Sequence, residues 1–228
     1  MQSGHIRSLG EAAGELTAAL ATMNKEDGPV CAYPPYYQLE YPDDALLADV
    51  IRKCEKEAVG HPNLQEAENL LAELRNFLPT AEAISRLPHQ IIHGDINFSN
   101  AAASGHRITG ILDLEFATVD VRAMELAVCL GELLADLGGN LLDDFERFVC
   151  GYGSKMMLTQ AETDHLLDLV KLRRLDVFVH FLGRFSADLD PIGVLVEQMH
   201  LSTQVCRFVE DHHTELQDIL DRHLLETC

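Results

Sequence analysis

The sequence predicts a mainly α-helical fold of the α+β class, with one small β element near the middle of the chain. Three observations predict it. Apolar residues recur at helical spacing over most of the length, as at Leu9, Ala13, Leu16, Ala19 and Leu20. A single stretch, from Gln90 to Phe116, changes to brief apolar runs punctuated by glycine, aspartate and asparagine. Beyond Arg122 the helical pattern resumes almost to the end.

Taken in order, a first helix is expected from Ile6 to Met23, then a loop rich in proline, glycine and tyrosine from Asn24 to Asp43. A second helix runs from Asp44 to Ala58, and Pro62 opens a third, with Leu64, Ala67, Leu71 and Leu74 along one face. Pro79 interrupts it, and a further turn or two reaches Leu87 before Pro88. Ile91 and Ile92 form a strand-like run that ends in the polar cluster His93 to Asn100. Arg107 to Phe116 reads as a strand or hairpin ahead of and around Asp113. Met124, Leu126, Ala127, Leu130, Leu133 and Leu134 suit one buried helix, and Leu141 to Tyr152 another. Thr159, with Glu162 three residues on, is a capping box opening a helix through Arg173 and beyond. Asp190 and Pro191 start a last long helix that ends near Leu225.

A length of 228 residues supports one substantial core or two small ones, and residues 1–228 read as one domain. Net charge is -20, from 37 acidic against 17 basic residues, which disfavours binding to nucleic-acid phosphates. The same acidity attracts cationic substrates or metal ions. No run approaches the roughly 18 apolar residues that span a bilayer, and Met1 to Leu16 lacks the apolar core of a secretory signal. Cys31, Cys54, Cys129, Cys150, Cys206 and Cys228 form no Cys-x-x-Cys pair, so buried thiols in a reducing cytoplasm are expected rather than zinc or redox chemistry.

The chemistry-bearing segment is His93-Gly94-Asp95-Ile96-Asn97-Phe98-Ser99-Asn100, followed by Gly110-Ile111-Leu112-Asp113-Leu114-Glu115-Phe116. Asp95 and Asn100 lie five apart after one apolar run. Asp113 ends a second run, Ile111-Leu112, expected to pair beside Ile91-Ile92. Two adjacent strand ends would gather Asp95, Asn100 and Asp113 around one pocket. A carboxylate that takes the proton of an attacking hydroxyl, with an amide oxygen and a second carboxylate for magnesium, suits phosphoryl transfer. Taken singly, each reads better as a polar turn or an ordinary strand-end aspartate.

Other motifs are weaker. Tyr33-Pro34-Pro35-Tyr36-Tyr37, with Tyr41 and Pro42, is either a rigid loop whose rings pack on helices or a lid over a substrate. Gly151-Tyr152-Gly153-Ser154-Lys155 reads as an inter-helix turn, not a phosphate loop, because no strand precedes it. His200 and His212-His213 read as solvated surface, and Arg173-Arg174 as salt-bridge partners of an acidic chain.

The ordered pair His-Gly-Asp, four residues, Asn, then apolar-Asp113-Leu114-Glu115 resembles the motifs of the aminoglycoside phosphotransferase, choline kinase and homoserine kinase superfamily. Asp120 to Ala127 is similar to the family's segment that opens the helix after the metal loop. Phe148, Gly151 and Tyr152, with Thr159 and Glu162, resemble the helical subdomain of the homoserine kinase-like branch. The resemblance runs from about residue 5 to residue 185. It implies the helix-rich C-terminal lobe of the protein-kinase-like fold, and transfer of phosphate from ATP, with Mg2+, to the hydroxyl of a small molecule of homoserine or aminoglycoside type. Asp95 would be the catalytic base, Asn100 and Asp113 the magnesium ligands, and His93 a support for the loop. Glu115 would be a metal-adjacent acid. Glu125, where many relatives carry Asp, would brace the catalytic loop.

The resemblance also implies an N-terminal lobe with a Gly-rich loop and a strand lysine over the nucleotide. Neither is found before His93: Lys25 lies in a polar loop, and Lys53 and Lys56 on an expected helix. The chain is therefore expected to act weakly or not at all alone. A truncated product, a lobe supplied by a separate polypeptide or by self-association, and a non-catalytic remnant serving as an interaction module all stand open. A metal-dependent hydrolase using His93 and Asp95 ranks below these, for want of further ligands at usable spacing.

Overall fold

The structure, a computed structural model, describes residues 3–27, 34–56, 64–135 and 140–225. Cys31, Tyr33, Pro62 and Cys228 lie outside the described residues. Helices dominate, as the sequence predicts, and the β structure in the middle of the chain is two small antiparallel sheets rather than one element.

The first helix, α1 (Ser3–Leu20), stops three residues before Met23 and buries Ile6, Leu9 and Ala13. Its partner is α6 (Leu141–Gly153). Glycines let the two backbones touch. A Cβ on Gly10 would lie 2.2 Å from the Phe148 carbonyl oxygen, and one on Gly151 2.3 Å from that of Arg7. The expected turn at Gly151–Lys155 is thus corrected: Gly151 to Gly153 complete α6, and the turning starts only at Ser154.

Between them and the remaining helices lies α5 (Ala123–Ala135), buried on nearly every side, as an all-round apolar helix must be. The longest helix, α7 (Gln160–Ser186), is opened by the expected capping box: the Glu162 N–H donates to Thr159 Oγ1 and the Thr159 N–H to Glu162 Oε2. Glu162 is also gripped by the Arg122 guanidinium, so the helix start is tied to the end of the β region. The first half of α7 packs Leu166, Leu169 and Val170 into the core around α5. Its second half packs Leu175, Phe178, Leu182 and Phe185 into another core, with α2 (Asp44–Lys56), α3 (Leu64–Phe77) and α8 (Ile192–Asp211). Pro79 sits in a 3-10 turn leading to the short α4 (Ala81–Ile84).

The strand pairing differs from expectation. β1 (His89–Ile92) pairs with β4 (Thr118–Val121), and β2 (Ala101–Ser104) pairs with β3 (Arg107–Ile111). The Ile111-Leu112 run therefore does not lie beside Ile91-Ile92. The loop after β1 leads straight into β2, and Gly105, at φ 60°, lets the chain reverse into β3 within two residues. β2 is nearly all alanine and β4 holds an aspartate, so neither carried a recognisable strand pattern.

The last long helix is also two. α8 ends at Asp211, His212 turns the chain, and α9 (His213–Leu224) returns to α6. His212 is half-buried, its ring 4.6 Å from that of Phe208, while His213 is exposed. Cys54, Cys129 and Cys206 are buried, with burial lifting the Cys206 thiol to about 12. Among the described residues no helix is long and apolar enough to cross a membrane.

Candidate active site

The site grows out of the loop that follows β1. Ile91, Ile92 and Ile96 are buried and anchor the loop on both sides of His93-Gly94-Asp95. Gly94 has φ 79°, and a Cβ there would stand 2.8 Å from the Phe116 carbonyl oxygen, so both backbone conformation and space demand glycine. Farther along, Asn97 Oδ1 accepts the N–H groups of Ser99 and Asn100, closing the loop on itself.

His93 is fully buried and engaged at both ring nitrogens. Nδ1 accepts the Asp95 N–H at 3.2 Å, and Nε2 donates to the Leu112 carbonyl at 3.0 Å. That fixes one tautomer and leaves no free ring position for moving protons. Below it, Glu125 in the first turn of α5 accepts the His93 N–H at 2.5 Å on one oxygen and the Gly94 N–H at 3.2 Å on the other. Burial pushes the Glu125 carboxyl up to about 7, against the opposing pull of those two N–H bonds.

Asp95 is half-buried and held at both oxygens. Asn100 Nδ2 donates to Oδ2 at 2.8 Å, and Arg173 Nη2 to Oδ1 at 3.2 Å. Burial raises its carboxyl above the ordinary range. Arg173, Asn100 and His93 pull it down, while Glu132 adds to the rise. Among the described residues, Asn100 Oδ1 accepts only a long 3.5 Å contact from Ser99 Oγ. The Leu112 N–H donates to the Asn100 carbonyl at 2.8 Å. That bond and the one from His93 pin Leu112, and with it the start of the loop bearing Asp113. Asp113 is exposed, with φ 66° in the left-handed region that aspartate tolerates better than most residues. Glu115 is exposed two residues on, and no hydrogen bond or ion pair ties it to Asp95, Asn100 or Asp113. Among the described residues no group of three His, Cys, Asp or Glu side chains converges as a metal cage. Hard oxygen donors in this part of the chain include Asn100 Oδ1 and the carboxylates of Asp95, Asp113 and Glu115.

Sequence reasoning missed the second wall of the site. Arg173, on α7, also faces Glu132 at 3.4 Å and Asp176 at 3.7 Å, which agrees with the salt-bridging expected of it. Its Nη1 donates to the Tyr36 hydroxyl at 3.1 Å, and its guanidinium lies 5.7 Å from the centre of the Tyr36 ring. Tyr36 in turn donates to the Gly94 carbonyl at 3.1 Å, while its N–H donates to Asp120 Oδ2 at 2.6 Å. Asp120 is fully buried, and burial lifts it to about 6, against the bonds from the Tyr36 and Val121 N–H groups. The tyrosine-proline loop thus packs on the site itself. Tyr37 meets His89 edge to face, and Tyr41 receives Arg75 over its ring. Between this loop and α7 lies a cavity of about 640 Å³, lined by Asp95, Arg173, Tyr36, Glu40, Asp176 and Phe181 among others. The upstream Lys53 is far from this chemistry in its bonding. It ties α2 to the end of α7 through Asp188 and the Ser186 carbonyl.

Comparison with known proteins follows the same outline. The family model described as phosphotransferase enzyme family matches residues 1–158. A homoserine kinase of Brucella abortus (strain S19) is 30% identical over 171 residues, covering 73% of this chain and 47% of that protein. The chain spans about half the length of the curated relatives it matches. Among solved structures, a choline/ethanolamine kinase family protein from Mesorhizobium loti superposes with a TM-score of 0.57 at 17% identity, over 95% of this chain and 66% of that one. The amicoumacin kinase hAmiN, in complex with AMP-PNP, Ca2+ and Ami, gives 0.56 at 14% identity, over 89% of this chain and 59% of its own. At such identities the two structures speak for the fold alone.

Proposed function

This chain belongs to the phosphotransferase enzyme family, and from that premise we propose that it is the acceptor- and metal-binding part of a kinase moving the γ-phosphoryl group of ATP to a small-molecule hydroxyl. The carrying observation is Asp95, a carboxylate held from both sides by Asn100 and Arg173 in the wall of a cavity of about 640 Å³. Asp95 orients the acceptor hydroxyl and takes its proton. His93 and Glu125 hold the backbone beneath it. Asn100 spends its amide nitrogen on Asp95 and keeps its oxygen for the metal. That oxygen and the Asp113 carboxylate fit magnesium, which is commonly held by one or two carboxylates together with substrate phosphates. When bound, the ion would supply charge neutralisation at the triphosphate. Glu115 adds negative charge beside that position.

For the acceptor we favour a homoserine-type amino alcohol, with aminoglycosides as the runner-up. The homoserine kinase relatives support this choice, and Glu40 and Asp176 in the cavity wall provide charge for an ammonium group. Residues 1–92 contain no Gly-rich loop or strand lysine. The proposal therefore assigns the nucleotide clamp to other residues, in a longer chain, a separate lobe or a second copy, and expects feeble transfer from these residues alone. A cytoplasmic setting fits the reading.

Calorimetric titration with Mg-ATP tests it. The expected outcome is weak binding that vanishes in Asp113→Ala while the variant keeps its melting temperature. No heat at millimolar nucleotide, or equal binding by the variant, would remove Asp113 from the metal site.

A further inference from the structure

A second groove shares no lining residue with the candidate active site. It measures about 610 Å³ and lies along α1, α6 and the β2–β3 hairpin. Arg7, Arg107, Arg147 and Lys155 line it, with His106, against the two carboxylates of Glu11 and Glu15. Four of the chain's 17 lysines and arginines thus meet in one groove of a molecule whose net charge is -20. They arrive from three separate segments, α1, β3 and the length of α6 with the turn after it, so no local charge run explains the cluster.

Ion pairing accounts for only half of them. Arg7 pairs with Glu11 at 3.2 Å, and Lys155 with Glu15 at 2.5 Å. Arg107 and Arg147 are exposed and form no ion pair among the described residues. Packing fixes the spacing. Arg7, Glu11 and Glu15 recur every four residues along α1, and Arg147, Gly151 and Lys155 do so along and just beyond α6. Gly151 rests on the Arg7 carbonyl, so the two rows are held side by side by backbone contact rather than by flexible side chains. The row on α1 is about 12 Å long at 1.5 Å per residue. Arg107 and Ile108, on β3, close the third side, where the Ile108 N–H donates to Ser8 Oγ at 2.9 Å.

We propose that this groove binds a small polyanion carrying at least two phosphate groups. Guanidinium forks grip phosphate oxygens in pairs, and three of the four cations are arginines. The two glutamates admit only a ligand able to outbid them for Arg7 and Lys155, which favours multiple charge over a single anion. The inference is independent of the kinase reading, because it needs neither Asp95 nor a metal.

The test is calorimetry of the whole chain with sodium pyrophosphate, in low-salt buffer with a chelator so that no divalent cation is available. One saturable site is expected, weakening as salt rises. The double variant Arg107→Ala/Arg147→Ala should lose at least about tenfold in affinity, whereas Arg52→Ala, an exposed arginine on α2, should lose none. Circular dichroism melting checks that both variants are folded. Absence of saturable binding at millimolar pyrophosphate overturns the proposal. So does unchanged affinity in the folded double variant, or orthophosphate binding as tightly as pyrophosphate.

Discussion

At Glu125, burial and hydrogen bonding pull in opposite directions. The carboxyl titrates at about 7 in the fold against 4.5 in its ordinary state. Between those values the native chain holds a proton that the unfolded chain has lost, so this group's contribution to stability falls as pH rises. The penalty is absent below about 4.5 and complete above about 7, with a size on the order of 3 kcal/mol. Asp120, lifted to about 6, has the same sign. Glu125→Gln should therefore flatten, without abolishing, the fall in melting temperature between about pH 5 and pH 7.5. Identical slopes in the two proteins would refute this account. Much of this neighbourhood was legible in the chain: His93, Asp95, Asn100 and Glu125 sit in a compact ordered pattern, and their backbone contacts join them. Arg173 and Tyr36 were not. They reach Asp95 and Gly94 across 78 and 58 positions, and nothing local marks an arginine on one helix as the partner of an aspartate on a distant loop.

Elements show the same division. The box at Thr159 and Glu162 is a short-range signal and was read correctly, as were the bounds of α6 to within a residue. Of the strands, β1 and β3 were read, but β2, β4 and the pairing were not, because pairing is decided between segments, and an alanine-rich β2 has no alternation to betray it. Glycines divide in a testable way. Gly10 lies where a Cβ would strike the backbone of α6, so Gly10→Ala should cost about 1–3 kcal/mol by forcing the helices apart. Gly183, inside α7, has nothing within 4 Å of its would-be Cβ, so Gly183→Ala should stabilise by about 0.5–1 kcal/mol. Urea denaturation of the two variants reads both signs, and a shared sign would contradict the packing described for α1 and α6.

On the scale of the whole molecule, the two cores meet on one helix. Leu169 and Leu172 belong to the first and Leu175 and Phe178 to the second, with Arg173 and Arg174 at the seam. Reading residues 1–228 as one domain then predicts a single cooperative unfolding transition, with circular dichroism and tyrosine fluorescence superimposing; separated transitions would mean that the cores unfold apart. The helix-rich class was legible because most of the chain repeats at one period, whereas the existence of two cores sharing α7 was not, since it depends on which faces meet. That arrangement has a consequence for synthesis. Val50, Leu70 and Leu74 share the second core with Leu175, Phe178 and Leu195, about a hundred residues later. At translation rates of about 5–20 residues per second, α2 and α3 emerge from the ribosome several seconds before α7 can cover them. During that interval their apolar faces are open to chaperones, and a stall before α7 is made would leave a nascent chain with half a core and no means of closing it.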